Sequence, residues 1–182
     1  MAQKYNIYIN EKKLIIASNI PAKLQNYQVI HAQEFDFEIF YHSLINNPCA
    51  VFLVLSNKAK TIFNKIKTSV RVIEAAGGLV HSDEDKYLFI KRNGLWDLPK
   101  GKLELGEKKR DAAKIIKTYH IYELKGKIVL KISHWYKMDA IANQALVPQL
   151  EEGITEVKWI GKEGWDLIKA NTYASILDIL DE

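Results

Sequence analysis

Tyr5-Asn-Ile-Tyr-Ile9 alternates apolar with polar positions only in part, and Leu14-Ile-Ile16 answers it across Asn10-Glu-Lys-Lys13. This pattern predicts a β-hairpin. Between Gln33 and Ile45 the apolar residues Phe35, Phe37, Ile39, Phe40, Leu44 and Ile45 fall mostly at helical spacing. The spacing predicts a helix that stops at Asn46-Asn-Pro48, a helix-ending signal. Ala50 to Leu55 is an apolar run with the length of a buried strand. From Asn57 to Thr68, Ala59, Ile62, Phe63 and Ile66 share one face, and Asn57 is placed to cap it. Residues 1–69 therefore read as a small β-β-α-β-α unit, without repeats or a Gly/Ser linker at its end.

The texture changes at Val70. Val70 to His81 reads as a strand that carries small residues from Ala75 to Gly78. Glycine inside a strand often marks a close approach by another backbone or a ligand. Ser82-Asp-Glu-Asp85 is a turn and Lys86 to Lys91 the returning strand. Ile115 to Leu124 and Lys127 to Met138 predict a hairpin across Lys125-Gly126. Ile154 to Ile160 is a further strand. Asp166 to Leu180 reads as one closing helix, with Leu167, Ile168, Tyr173, Ile176, Leu177 and Leu180 on its apolar face.

At 182 residues the chain suits a small domain followed by a medium one, and it can bury most of its apolar surface without staples. A single cysteine, Cys49, excludes an internal disulfide, and its apolar neighbours predict a core thiol, not a nucleophile. No leader peptide opens the sequence and no apolar run approaches the ~20 residues of a membrane helix, so a cytoplasmic protein is expected. The net charge of +4 is mild and the lysines are scattered, which usually means a solvated surface. Neither a nucleic-acid polymer nor a membrane is expected as a partner.

Chemistry concentrates in Leu95-Trp-Asp-Leu-Pro-Lys-Gly-Lys-Leu-Glu-Leu-Gly-Glu107, between two strands. This string resembles the Nudix hydrolase family, whose box runs Gly, five residues, Glu, seven residues, then Arg-Glu-apolar-any-Glu-Glu-any-Gly-apolar. Gly101 and Glu107 match its first two fixed positions in register. Trp96-Asp-Leu-Pro-Lys-Gly101, the upstream Ala76-Gly-Gly-Leu-Val80 and Asp111-Ala-Ala113 are also family-like. The likeness covers roughly residues 70–180.

The resemblance implies an α/β fold, a Nudix-like sandwich with a mixed sheet at 70–182, preceded by the small α/β unit of 1–69. It implies hydrolysis of the diphosphate linkage of a nucleoside diphosphate derivative by water attack on phosphorus, assisted by Mg2+ or Mn2+. A loop entering a helix must turn sharply, which asks for glycine at 101 and 106. Such a junction presents backbone groups to a phosphate. Magnesium takes hard oxygen ligands, neutralises a pyrophosphate and activates water. By resemblance Gly101, through its backbone, and Glu107 hold the metal, and Glu107 and Glu152 are the catalytic carboxylates. Arg92, Lys100 and Lys102 are the phosphate contacts. Each has a plainer alternative. Glu107 would also suit a helix first turn, Arg92 a strand end, Lys100 and Lys102 a solvated surface, and Glu151 and Glu152 a solvated turn. Trp96, Trp135, Tyr136 and Trp159 read as core, and His81, His120 and His134 lack metal-ligand spacing.

The sequence then departs from the family. After Lys108 to Lys114, where Arg-Glu and two further glutamates belong, stands Ile115-Ile-Lys-Thr-Tyr-His120, which already reads as a strand. A helix beginning near Glu107 would have about two turns and no Gly or Asn stop. The junction at Ala113-Lys114 looks like a cut. Residues absent from the sequence as written, a deletion, and a non-catalytic relative all fit it. In the first case two consecutive α-carbons between 112 and 116 should lie farther apart than the ~3.8 Å of a trans peptide. A binding module that senses a nucleotide without cleaving it is the alternative function. A structural role is the third, with the first unit packing on the Nudix-like part or forming a homodimer.

Overall fold

A computed structural model describes residues 3–102, 114–142 and 145–181. The chain divides into two compact units, Met1–Ile73 with Thr118–Ile132, and Glu74–Lys117 with Ser133–Glu182. The pairings are mixed, and helices accompany the strands, so the α/β class with a mixed sheet holds.

In the first unit β1 (Tyr5–Ile9) and β2 (Lys12–Ala17) form the expected hairpin, joined by a two-residue turn. Asn10 sits there at φ 53°, a conformation asparagine tolerates better than most residues. One strand escaped the sequence reading, β3 (Tyr27–His31), because Tyr-Gln-Val-Ile-His alternates weakly. It pairs in parallel with β4 (Val51–Leu55), which also runs parallel to β2. Helix α1 (Phe37–Ser43) bridges β3 and β4. It starts later than the apolar spacing predicts, because the Asp36 side chain accepts the Ile39 N–H at 3.0 Å and fixes the first turn. Helix α2 (Ala59–Ser69) is capped at Lys58, not at Asn57 as the sequence suggests. Ser56 Oγ accepts the Lys58 N–H at 3.0 Å and claims the turn one residue later.

The hairpin β9 (Lys114–Leu124) and β10 (Lys127–Ala140) contributes residues to both units. Its turn is Lys125-Gly126, with φ of 52° and 72°, the left-handed pair that matches strand twist. Within the first unit its tip pairs in parallel with β1, Ile7 opposite Tyr119 and Ile9 opposite Ile121. Ile121, Leu130 and Ile132 thus join Ile7, Leu14, Phe52, Phe63 and Ile66 in one core. Cys49, expected in the core, is only half-buried at its edge, its thiol donating to the Val51 carbonyl at 3.1 Å.

In the second unit the strand order is β11-β6-β5-β10-β9. Here β5 is Arg71–Ser82, β6 is Lys86–Arg92 and β11 is Ile154–Gly161. Two short strands attach to this order, β7 (Leu95–Asp97) on β6 and β8 (Lys100–Lys102) on β5. The single closing helix expected over Asp166 to Leu180 is instead two, α3 (Trp165–Ala170) and α4 (Ala174–Leu180). The interruption comes from a long-range contact with β7. The Asn171 carbonyl accepts the Trp96 N–H at 2.9 Å, and Thr172 Oγ1 donates to the Trp96 carbonyl at 2.7 Å. Backbone committed to β7 cannot also continue a helix. Phe89, Leu98, Trp135, Ile168, Ile176 and Ile179 form the core of this unit. Trp135 and Tyr136 are buried as expected, whereas Trp159 is half-buried.

Strand β9 begins at Lys114, one residue before the sequence places it. The helix end at Ala113, Gly106, Glu107 and the first two residues of the interval 112–116 fall within 103–113, outside the described residues.

Candidate functional site

The site is assembled at the ends of β6, β7 and β8. Asn93-Gly94 turns β6 into β7 with φ of 51° and 82°, which sets Arg92 opposite Leu95. That two-residue turn is a strong sequence signal the strand pattern alone passes over. Asn93 N–H then bonds the Gly153 carbonyl at 3.1 Å. Gly153 itself lies at φ 74°, where a β-carbon would also meet Asn93 Oδ1 at 2.7 Å. This turn follows a 3-10 segment, Leu150–Glu152, and brings Glu152 to 3.9 Å from the Arg92 guanidinium. The structure thus places together two residues sixty apart in sequence that were singled out separately. Both are partly exposed, so the pair has modest energetic weight and leaves the guanidinium open to a phosphate.

Next to them lies a group the sequence reading missed. Asp97 is 1% exposed; its Oδ1 accepts the Leu98 N–H at 2.8 Å and its Oδ2 the Lys100 ammonium. Lys100 was expected on a phosphate, and its ammonium instead rests on this buried carboxylate, 5.7 Å from the centre of the Trp135 ring. Burial holds the lysine below its usual pKa, while the Asp97 charge opposes the shift. Tyr173, at the break between α3 and α4, feels the same surroundings: burial raises its phenol, then Asp97 raises it further and Arg92 lowers it. The signal for Asp97 was a lone carboxylate between Trp96 and Leu98, where an unpaired charge would be costly.

The outer side of β7 is cationic. Trp96 is half-buried, with the Lys91 and Lys158 ammoniums 5.5 and 5.9 Å from its ring centre. Glu156 takes a hydrogen bond from each lysine, first Lys158 and then Lys91, and these hold its carboxyl below the usual range.

Gly101 does not make the sharp turn expected of it. It pairs with Ala76 inside β8, its φ is not left-handed, and a β-carbon would meet nothing within 4 Å. The close approach belongs to Gly77, where a β-carbon would stand 2.4 Å from Trp135 Cζ3 and 2.9 Å from Lys100 Cβ. Gly77→Ala is therefore expected to cost about 1–3 kcal/mol through overpacking. Chemical denaturation checks this, and a smaller residue at Trp135 should recover part of the loss.

The backbone of Lys102 lies in β8. Glu107, with Glu104, lies outside the described residues, so the described part of the site contains Arg92, Lys100, Gly101 and Glu152. Among the described residues no three His, Cys, Asp or Glu side chains gather closely enough to hold a metal ion. The carboxylates among the described residues do not by themselves make up a magnesium site.

This geometry defines an α/β protein with two ion pairs, Arg92–Glu152 and Lys100–Asp97, at the ends of β6 to β8. No protein-family model matches the sequence, and no curated protein matches it significantly. Among solved structures it is similar to the mutator MutT protein from Bacillus halodurans, 18% identical, covering 60% of this chain and 80% of that one, with a TM-score of 0.47. It is also similar to a C. elegans Ap4A hydrolase in a binary complex, 22% identical, covering 60% and 93%, with a TM-score of 0.38. A third is the NUDIX domain of Shewanella oneidensis NrtR complexed with ADP ribose, 13% identical, covering 68% and 94%, with a TM-score of 0.40. Each of these TM-scores is below 0.5. No helix among the described residues is long and apolar enough to cross a membrane.

Proposed function

We propose that the chain is a Nudix-type hydrolase that binds a nucleoside diphosphate derivative and cleaves its diphosphate linkage by water attack on phosphorus. The observation that carries this reading is the Trp96-to-Gly101 string with Glu107 in register, set beside a juxtaposed Arg92 and Glu152. Arg92 would grip a phosphate as a fork, and Lys102 would add a second cation. Lys100, held by Asp97, would act through position and field. Glu152 would orient water or release Arg92 to the substrate. Glu107 and the Gly101 backbone would contribute to a magnesium or manganese site, whose chemistry is charge neutralisation and water activation. In this reading residues 1–69 are an accessory unit of a cytoplasmic, homodimeric protein, and 70–182 the hydrolase domain.

A second reading, a module that binds the nucleotide without cleaving it, is favoured by the missing second half of the box after Lys114. Two measurements separate the readings. Purified protein with Mg2+ or Mn2+ is offered a panel of nucleoside diphosphate derivatives, and release of phosphate or nucleoside monophosphate is followed beside calorimetric binding. Turnover supports the hydrolase, and binding without turnover supports the module. Neither binding nor turnover overturns both. Where turnover is found, Glu107→Gln should lower metal affinity or rate at least about tenfold, and unchanged metal dependence would remove Glu107 from the site.

A further inference from the structure

We propose that the solvent face of α2 is a nucleic-acid backbone-binding surface, independent of the site in the second unit. The sequence disperses its lysines, which argued against such a partner; the fold sorts them. The first unit, including the tip of the β9–β10 hairpin, carries twelve lysines and arginines against five aspartates and glutamates, a formal +7. The second carries fourteen against seventeen, a formal −3, so the mild net charge of +4 conceals a strong asymmetry.

Helix α2 concentrates that charge. Its apolar residues Ala59, Ile62, Phe63 and Ile66 are buried. At 3.6 residues per turn, residues seven apart fall on nearly the same line. Lys58 and Lys65 therefore form one row and Lys60 and Lys67 another. Between the rows run Thr61, Asn64 and Thr68, all exposed and uncharged. No acidic residue lies in the helix. Lysines in the second unit commonly have carboxylate partners, as Lys86, Lys91, Lys100, Lys158 and Lys169 do. Among the described residues neither the cap residue Lys58 nor Lys60, Lys65 or Lys67 has one.

Two cationic rows flanking hydrogen-bonding side chains suit a chain of phosphodiesters, contacted by ammonium groups from both sides and by hydroxyl and amide groups between. A membrane surface fits less well, because a helix lying in a bilayer interface needs an apolar face turned toward lipid. Here that face is buried within the protein.

Fluorescence anisotropy of the full chain with labelled 20-base-pair DNA tests the proposal, with a single strand of one sequence in parallel. Micromolar binding is expected at about 50 mM salt. About four phosphate contacts predict an affinity lower by on the order of 100-fold at about 200 mM. The variant Lys58→Gln/Lys60→Gln/Lys65→Gln/Lys67→Gln should bind at least about tenfold more weakly with a flatter salt dependence. Arginine at the same four positions should keep binding. Removing the same charge from the second unit, with Lys114→Gln/Lys137→Gln/Lys162→Gln/Lys169→Gln, should change affinity by less than about twofold. Circular dichroism verifies that each variant is folded. Equal losses in both glutamine variants, an unchanged α2 variant, or no binding at about 50 mM salt would overturn the proposal. So would capture of the protein by phosphatidylserine vesicles but not by either nucleic acid.

Discussion

Asp97→Ala is expected to cost about 3–5 kcal/mol at neutral pH, because it leaves the Lys100 ammonium buried without its counter-charge. The lysine side chain is 15% exposed, so water cannot replace the carboxylate. The Leu98 N–H also loses its acceptor. The deficit has a distinctive pH dependence. Burial already holds Lys100 below its usual pKa, and Asp97 is the main group opposing that shift. Without Asp97 the folded-state value drops further, while the unfolded value stays near that of a free lysine. Between the two values the unfolded chain binds the extra proton, so stability rises with pH across that window. Urea titrations at pH 7 and pH 9.5 should show the variant recovering toward wild type at the higher pH. A second substitution, Lys100→Met, should recover much of the loss at pH 7 by removing the stranded charge. An Asp97→Ala protein as stable as wild type at pH 7, or one whose deficit is equal at both values, would show that the pair does not support this corner of the site.

The fragment 70–182 is expected to be insoluble or to self-associate, although the resemblance makes it look like a complete domain. The reason lies in the first unit's own core. Ile121, Leu130 and Ile132 are 1%, 0% and 3% exposed, packed with residues of β1, β2, β4, α1 and α2. Deleting 1–69 returns all three side chains to water, each worth on the order of 1.5–3 kcal/mol. It also strips the β9 edge of its parallel partner from Tyr119 to Ile121, and an exposed apolar edge strand invites pairing with another chain. The combined loss is comparable with the ~5–15 kcal/mol of net stability a domain possesses. Size-exclusion chromatography and thermal unfolding of the fragment beside the whole chain decide the matter. A fragment that is soluble, equally stable and of unchanged oligomeric state would show that the hairpin tip needs nothing from residues 1–69.

The membership of that hairpin tip separates what local sequence can say from what it cannot. Period-two apolarity and Lys125-Gly126 sufficed to place β9 and β10 to within two residues. Nothing in Tyr119-His-Ile121 says that its partner is Ile7-Tyr-Ile9, because any apolar strand edge offers the same backbone donors and acceptors. Strand β3 was lost for the opposite reason: its residues alternate poorly, and its identity comes from pairing with β4.

The same division runs through the site. Trp96 to Gly101 announced phosphate chemistry by resemblance, and Arg92 and Glu152 were each legible as single residues. Their approach to 3.9 Å depended on Asn93-Gly94 and Gly153, two left-handed turns that dock on each other. Asp97 and Lys100 stand three apart in sequence, yet only the packing of β7 and β8 makes them a buried pair. By itself the sequence determined the strands of clear periodicity, the two helices of the first unit and the family-like string, because each depends on local spacing. Tertiary structure decided which strands pair, which glycine is crowded, where the closing helix breaks and which lysines keep a carboxylate. Those outcomes depend on contacts between residues far apart in the chain, whose free energies local propensity does not contain.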